Sequence, residues 1–109
     1  MKRILFVEDE SAFAVGMIDR LESDCDDANS TLTELKSFVL PGGTEAAARL
    51  HIARSTCRRT ERELLACAEE TPLNPLAAVY LNRLSDLLFI LARAANAGDE
   101  PLWRPGAER

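Results

Sequence analysis

Four arginines in one short stretch are the side chains best suited to chemistry. Arg54, Arg58 and Arg62 recur at i, i+4 and i+8, which places them along one side of a helix, and Arg59 lies beside them. A guanidinium group offers a planar fork of donors that matches phosphate oxygens. The spacing therefore indicates a polyphosphate site, with a set of salt bridges as the alternative. Glu61 lies inside the cluster, where it either orients the guanidinium groups or forms a simple ion pair.

A second polar stripe interrupts an otherwise apolar segment further along the chain. Asn82, Asp86, Phe89 and Arg93 follow one another at +4, +7 and +11. Buried polar groups need partners, so we expect Asn82 and Asp86 to face the arginines of the earlier stretch. The alternative is a buried Asp–Arg pair that fixes the register of a bundle. Phe38 precedes a Pro-Gly-Gly turn, either as a plain hydrophobic anchor or as part of a site.

Other recognisable catalytic patterns do not occur in the sequence. There is no GxxxxGK[ST] or GxGxxG phosphate loop, and the only histidine, His51, is predicted to be packed or exposed rather than catalytic. Cys25, Cys57 and Cys67 include no CxxC pair, which predicts reduced thiols and neither a zinc site nor any other metal site.

Length and composition predict one helical domain. The chain has 109 residues, of which 47% are apolar, mostly Leu and Ala, and it contains only five glycines. The net charge of −5 argues against general nucleic-acid binding, which needs a broad basic surface. No continuous apolar run approaches the ~20 residues of a membrane span. We therefore expect a soluble, cytoplasmic protein with no membrane or nucleic-acid partner.

The hydrophobic periodicity predicts an all-α fold with about three long helices. These are expected at about residues 12–32, 45–68 and 76–97, while residues 3–7 form either a short strand or the start of a helix. The Pro41–Gly43 turn precedes a Thr44 cap, and Asn74 caps the last helix.

The last predicted helix is apolar almost all round, and Gly98 is expected just beyond its end. A helix of this kind lies at the centre of a bundle or is buried by neighbouring subunits. Three helices cannot cover it completely, so the sequence predicts a helical bundle that assembles as a homo-oligomer.

Three blocks of this sequence, in this order, resemble the ATP:cob(I)alamin (corrinoid) adenosyltransferases of the propanediol-utilisation type. The blocks are SFVLPGGTEAAARLHIARSTCRRTERELLA, NPLAAVYLNRLSDLLFILARAAN and LWRPG. The preceding acidic segment, DRLESDCDDANSTLTELKSF, is also similar to that family. CRRTER and LNRLSDLLF are the most specific strings, and the resemblance covers roughly residues 17–106.

The resemblance implies a homotrimer of five-helix bundles with active sites between subunits, of which this chain holds the later part. It implies ATP with Mg²⁺ as one ligand and a reduced cobalamin as the other substrate. The cobalt(I) centre attacks the 5′ carbon of ATP, so that triphosphate leaves and adenosylcobalamin forms. Such a reaction requires no protein nucleophile, and we assign no catalytic side chain.

The resemblance also assigns roles to individual residues by position. Phe38 and Phe89 match positions on the corrinoid side, where a hydrophobic residue keeps the lower base off the cobalt, and Asp86 matches a supporting acid. The positions that match the ATP site are Arg54, Arg58, Arg59, Glu61, Arg62 and Asn82.

The family's N-terminal phosphate loop and its lysine have no counterpart in this sequence. We therefore predict a truncated member with an atypical segment at 1–16, an adenosyltransferase-like helical domain at 17–106 and a tail at 107–109. The alternative function is a non-catalytic helical module, for oligomerisation or corrinoid binding, that lost its ATP-binding elements.

Overall fold

Three α-helices make up the fold. A computed structural model describes residues 2–104, with side chains from residue 11 onward, and the predicted tail at 107–109 lies outside this range. The helices are α1 (Lys2–Asn29), α2 (Glu45–Ala68) and α3 (Pro75–Ala95). The prediction of an all-α protein is confirmed.

The first helix is the one whose bounds the sequence predicted least well. It begins at Lys2, so the stretch at 3–7 is helical rather than a strand, and it ends three residues before the predicted Leu32. It continues without a break past residue 16, where the sequence predicts a domain boundary.

The N-termini of the other two helices follow from local capping. The Thr44 hydroxyl accepts a hydrogen bond from the Ala47 N–H (3.1 Å), and α2 begins at the next residue, as predicted. The Asn74 side chain accepts from the Leu76 N–H (3.0 Å), with Pro75 in the first helical position.

The C-terminus of α3 comes two residues before the predicted end. The helix stops at Ala95, and Asn96 is its C-terminal cap. Ala97, at φ +50°, is the first residue after the helix with a left-handed conformation, and Gly98 follows at φ +84°. The left-handed turn is therefore shared by an alanine and a glycine, rather than made by Gly98 alone.

The helices form one layer with α3 in the middle. Both α1 and α2 pack on α3, whereas within the described residues no Cα atom of α1 comes within 8 Å of one in α2. The buried apolar side chains come from all three helices, namely Ile18, Leu21, Ala47, Cys57 and Ala92. A single layer covers α3 on two sides and leaves its remaining surface partly open.

This open arrangement explains why α3 combines high hydropathy with little burial. Within the described residues, Pro75–Ala95 is the helix long and apolar enough to cross a membrane, with a mean hydropathy of 1.4 in its most apolar window. The absence of one continuous apolar run in the sequence is therefore weak evidence against a membrane span. Central helices of soluble bundles have the same composition.

A buried ion pair fixes the C-terminal end of α3. The Arg93 Nε donates to Glu100 Oε1 (2.9 Å), and both side chains are less than a tenth exposed. The Arg93 Nη2 also donates to the Thr33 carbonyl at 2.8 Å. One guanidinium group thus joins α3 to the segment after α1 and to the segment after itself.

Asn96 makes a second junction one turn later. Its Oδ1 accepts from the Thr44 N–H (2.8 Å), and its Nδ2 donates to the Gly42 carbonyl (3.0 Å). A Cβ at Gly43 would collide with the Asn96 amide, and Gly43 has a φ of +100°. This position therefore requires glycine for both space and backbone conformation.

His51 belongs to the packing between α2 and α3. His51 is 6% exposed, and its ring meets the Phe89 ring edge-on at 6.4 Å between centroids. Its buried Nε2 has no hydrogen-bond partner among the residues that the structure describes. Burial lowers the pKa of His51, and the nearby Arg54 charge lowers it further, while Glu100 acts in the opposite direction. The folded protein therefore favours the neutral imidazole.

We predict that Arg93→Ala lowers the free energy of unfolding by about 3 kcal/mol, because it leaves a buried Glu100 carboxylate unpaired. Urea unfolding followed by circular dichroism at 222 nm measures the loss. The control is Arg49→Ala, which breaks the exposed Arg49–Glu45 pair (2.8 Å) and should cost less than about 1 kcal/mol. An equal decrease in the free energy of unfolding in both variants would show that the buried Arg93–Glu100 pair stabilises the fold no more than the exposed pair does.

We also predict that acidification destabilises the protein through His51. Above the unfolded-state pKa of about 6.5, both states are neutral and no stability is lost. As the pH falls below about 6.5, the unfolded chain binds the proton before the folded protein does, so the free energy of unfolding decreases until the pH has passed the lowered folded-state pKa. His51 is the only histidine, so its NMR titration is unambiguous.

A His51 pKa at or above about 6.5 would contradict this prediction. The control variant, His51→Phe, keeps a ring at this position and should lose the part of the pH dependence that begins as the pH falls below about 6.5.

Candidate functional site

The arginines of α2 are largely free of carboxylate partners. Arg58, Arg59 and Arg62 are exposed and Arg54 is half-buried. Among the described residues, the ion pairs within 4 Å join Arg49 to Glu45, Arg83 to Glu22, and Arg93 to Glu100, so they include none of these four. The salt-bridge alternative is therefore not what the structure shows. Uncompensated like charges one helical turn apart destabilise a helix, which makes this arrangement unusual for a purely structural segment.

Two of these arginines border an open cavity beside α2. The cavity measures about 520 Å³ and lies between α2 and the turn that precedes it. It combines two cations, two hydroxyl groups and apolar walls, an arrangement that suits a ligand with an anionic and an apolar part. Its lining residues are Pro41, Gly42, Ala48, His51, Ile52, Ser55, Thr56, Arg59 and Arg62.

The predicted stripe of Arg54, Arg58 and Arg62 does not share one environment. Eight residues advance an α-helix by about 80° beyond two full turns, so Arg54 and Arg62 point in different directions. Arg54 turns toward α3, where its guanidinium lies over the Phe89 ring at 5.0 Å from the centroid. This cation–π contact joins a residue predicted for the ATP side to one predicted for the corrinoid side.

Asn82 reaches α2, but its partner is an acid rather than an arginine. Its Nδ2 donates to Glu61 Oε2 at 3.3 Å, and its Oδ1 accepts from Arg83 Nη1 at 2.6 Å. The expectation that Asn82 faces an α2 arginine is therefore corrected. The contact holds Glu61 against α3 and away from the cavity side of α2.

Asp86 forms no ion pair with the α2 arginines within the described residues. It is exposed and borders a groove of about 460 Å³ between α1 and α3, together with Glu22, Cys25, Asp26 and Arg83. The expected contact with α2, and the alternative of a buried Asp–Arg pair, are both corrected. Four residues rotate a helix by about 40°, which is enough to separate Asp86 from Asn82 at a helix that is packed on both sides.

The thiols nearest these sites are held in the protonated form. Burial raises the pKa of Cys57, with Glu61 adding to the effect, and its Sγ donates to the Leu81 carbonyl at 3.2 Å. Burial also raises the pKa of Cys25, with Asp86 as the next cause. Neither thiol has the low pKa that a nucleophile needs.

Phe38 lies in a loop that is joined to the segment after α3. The Trp103 N–H donates to the Phe38 carbonyl (2.8 Å), and the Leu40 N–H donates to the Pro101 carbonyl (2.8 Å). The Phe38 ring is 77% exposed and meets the Trp103 ring edge-on, 6.3 Å between centroids. Phe38 and Phe89 thus have separate surroundings. Phe38 lies at this loop, whereas Phe89 contacts His51 and Arg54 of α2 and also borders the groove between α1 and α3.

Several residues of these surfaces were not singled out from the sequence. Ser55, Thr56 and Ile52 line the arginine cavity, and Trp103 pairs with Phe38. The hydroxyl positions carry a weak signal, since Ser55 and Arg59 lie one helical turn apart. No local pattern indicates the Trp103 contact, because 65 residues separate it from Phe38.

Comparison with known protein families gives a match over most of the chain. The sequence model of the family described as cobalamin adenosyltransferase matches residues 6–95. A corrinoid adenosyltransferase of Mycobacterium leprae is 57% identical over 91 residues, which are 82% of this chain and 48% of the relative. A corrinoid adenosyltransferase of Mycobacterium bovis is 54% identical over 98 residues, covering 88% of this chain and 51% of the relative.

Solved structures give the same result for the fold. A variant PduO-type ATP:corrinoid adenosyltransferase from Lactobacillus reuteri, complexed with cobalamin and ATP, superimposes with a TM-score of 0.74 at 36% identity. The superimposed part makes up 81% of this chain and 50% of the Lactobacillus reuteri chain. Another variant of that enzyme, complexed with ATP, gives a TM-score of 0.76 at 35% identity, with coverages of 82% and 53%.

The chain thus spans about half the length of the curated relatives it matches. The match over residues 6–95, the identities above 50% and the agreement in fold all concern the helices that carry the arginine cavity and the Asn82–Glu61 contact. The chain belongs to the cobalamin adenosyltransferase family.

Proposed function

We propose that this chain takes part in the transfer of the 5′-deoxyadenosyl group from ATP to the cobalt of a reduced corrinoid. The observation that carries the proposal is the arginine cavity, which is bordered by Arg59 and Arg62, two cations that form no ion pair within the described part of the chain. A triphosphate supplies the negative charge that this surface lacks. The related structures complexed with ATP support this choice of ligand.

The proposed chemistry places modest demands on the protein. Cobalt(I) donates an electron pair to the 5′ carbon, a Co–C bond forms, the C–O bond breaks, and triphosphate leaves with that bonding pair. The substrate itself provides the nucleophile, so no side chain has to remove a proton. The protein's contribution is to align the two substrates and to stabilise the charge of the leaving triphosphate.

The arginines on α2 have different proposed roles, because their side chains lie in different surroundings. Arg59 and Arg62 contact the phosphates in the cavity, and Arg58, exposed beside them, adds to the positive field. Arg54 stays against Phe89 and links the nucleotide side to the corrinoid side. Rigid guanidinium forks suit this role because they can each make two bonds to phosphate oxygens.

Glu61 and Asn82 act together in this proposal. Their hydrogen bond fixes α2 against α3 at the level of the arginines, so that the cavity keeps its shape. Asn82 then meets the nucleotide only if this bond opens or if its remaining donor hydrogen is used. Asp86 lies one helical turn further along α3 and borders the groove between α1 and α3.

Mg²⁺ does not fit a site made by this chain alone. Within the described residues there is no group of three or more His, Cys, Asp or Glu side chains that could hold a metal ion. Mg²⁺ is commonly bound through substrate phosphates with one or two carboxylates. We therefore treat it as part of the ATP complex and assign it no step on the protein.

Phe38 and Phe89 are proposed for the corrinoid side. The Phe38 ring is exposed and held by its loop, which suits contact with a large, flat, apolar macrocycle. Its proposed effect is to exclude the lower base from the cobalt, which makes reduction to cobalt(I) easier.

We further propose that the protein works as a homotrimer in the cytoplasm. The single layer of helices leaves large apolar side chains exposed, including Phe13, Ile52 and Leu65, as expected for a surface that neighbouring subunits cover. Three free cysteines are compatible with a reducing compartment.

The nucleotide site is tested by titration calorimetry with Mg–ATP. We predict that Arg59→Ala and Arg62→Ala each weaken binding by roughly tenfold to a hundredfold, because each removes charged hydrogen bonds to phosphate. Arg58→Ala should weaken it less. Arg49→Ala is the matched control, since it removes an arginine of the same helix whose charge is already paired with Glu45.

Circular dichroism should show unchanged helix content in all four variants. If Arg49→Ala weakens binding as much as Arg59→Ala does, the effect comes from net charge and the cavity is not the site. If the unaltered chain binds no Mg–ATP, the proposed nucleotide site is wrong for this chain.

The transfer itself is tested by supplying cob(I)alamin and Mg–ATP and following adenosylcobalamin in the visible spectrum. We predict product formation by the unaltered chain and at least a tenfold lower rate for Arg59→Ala, in proportion to the lost phosphate contacts. Corrinoid binding without product would favour the non-catalytic alternative, a helical corrinoid-binding module.

A further inference from the structure

Phe38 and Trp103 form an exposed aromatic pair on two segments that meet only in the folded protein. Val39 and Leu102 make an antiparallel β-bridge, and the residues beside them form the flanking hydrogen bonds. Opposed residues of an antiparallel pair project to the same face. The rings of Phe38 and Trp103 accordingly meet edge-on, with an angle of 71° between their planes.

Trp103 contacts both the backbone and the side chain of the Phe38 segment. Its N–H binds the Phe38 carbonyl, and its own carbonyl accepts a hydrogen bond from the Ser37 hydroxyl at 2.8 Å. The segment that carries Trp103 is itself held by Glu100, whose carboxylate is paired with buried Arg93. Phe38 is therefore connected to the C-terminal end of α3 through Trp103.

The exposure of the two rings indicates which of them has the more direct contact with a ligand. Phe38 is 77% exposed and Trp103 is 47% exposed, so the Phe38 side chain remains largely open to solvent beside Trp103. A phenylalanine in an open loop would otherwise move among several side-chain rotamers. A neighbouring ring that restricts this freedom lowers the entropic cost of binding.

We propose that Trp103 is a positioning residue for the corrinoid side of the site. It holds the backbone and ring of Phe38 in the orientation in which Phe38 meets the corrinoid. This inference rests on the role proposed above for Phe38. It adds a residue that acts through Phe38, at a distance of 65 positions along the chain.

The test compares Phe38→Ala, Trp103→Ala, Trp103→Phe and the double alanine variant, with cob(II)alamin as the probe in the presence of Mg–ATP. Affinity is read from visible absorbance, and the four-coordinate fraction is read from electron paramagnetic resonance. Trp103→Ala should weaken binding by about twofold to tenfold, the range expected for one aromatic pair, and lower the four-coordinate fraction. Trp103→Phe should restore part of both.

The double variant decides whether Trp103 acts through Phe38. When Phe38 is already alanine, Trp103→Ala should change affinity by less than about a factor of two. Independent, multiplying losses would overturn the proposal and assign Trp103 a direct contact with the corrinoid. Leu102→Ala is the control, because its side chain projects to the other face of the extended segment, and an equal effect there would also overturn the proposal.

Failure of the inference can be told from failure of the proposed function. If Phe38→Ala weakens corrinoid binding and Trp103→Ala does not, only the positioning role is wrong. If Phe38→Ala has no effect, the corrinoid role of Phe38 is wrong and the positioning role falls with it. Trp103 is the only tryptophan, so a red shift of its fluorescence in Phe38→Ala should report the ring pair without any ligand, and an unchanged spectrum would contradict the pair.

Discussion

Two buried polar side chains at the C-terminal end of α3 hold together segments that are far apart in the chain. Arg93 joins Glu100 and the Thr33 carbonyl, and Asn96 joins the Gly42 carbonyl to the Thr44 N–H. Such groups would be costly to bury without partners, so they allow few arrangements of their surroundings. The start of α2, the loop that carries Phe38 and the segment after α3 all take their positions from this junction.

The middle position of α3 separates two surfaces of opposite charge. On the α1 side, Asp86, Glu22 and Asp26 border an acidic groove, whereas Arg59 and Arg62 border the cavity between α2 and the turn that precedes it. A polyanion is repelled from the first surface and attracted to the second. The acidic net charge of the chain is therefore compatible with a nucleotide site, because the acidic side chains of the groove and the arginines of the cavity lie on different surfaces.

Much of the fold was predictable because its signals are local. The start of α2 follows from the Pro41–Gly43 break and the Thr44 cap, and the start of α3 follows from Asn74. The direction of Arg54 and the partners of Asp86 were not predictable. A helix that carries polar residues on several sides has no preferred orientation until its neighbours pack against it.

The sequence by itself determined the helical class, the family and the concentration of arginines on α2, since composition, periodicity and short motifs are properties of contiguous residues. Only the tertiary structure decided which arginines border a cavity, that Asn82 binds Glu61, and that Trp103 meets Phe38. These contacts join residues 21 to 65 positions apart. Their energy becomes available only after the intervening chain has been ordered, so no local pattern records them.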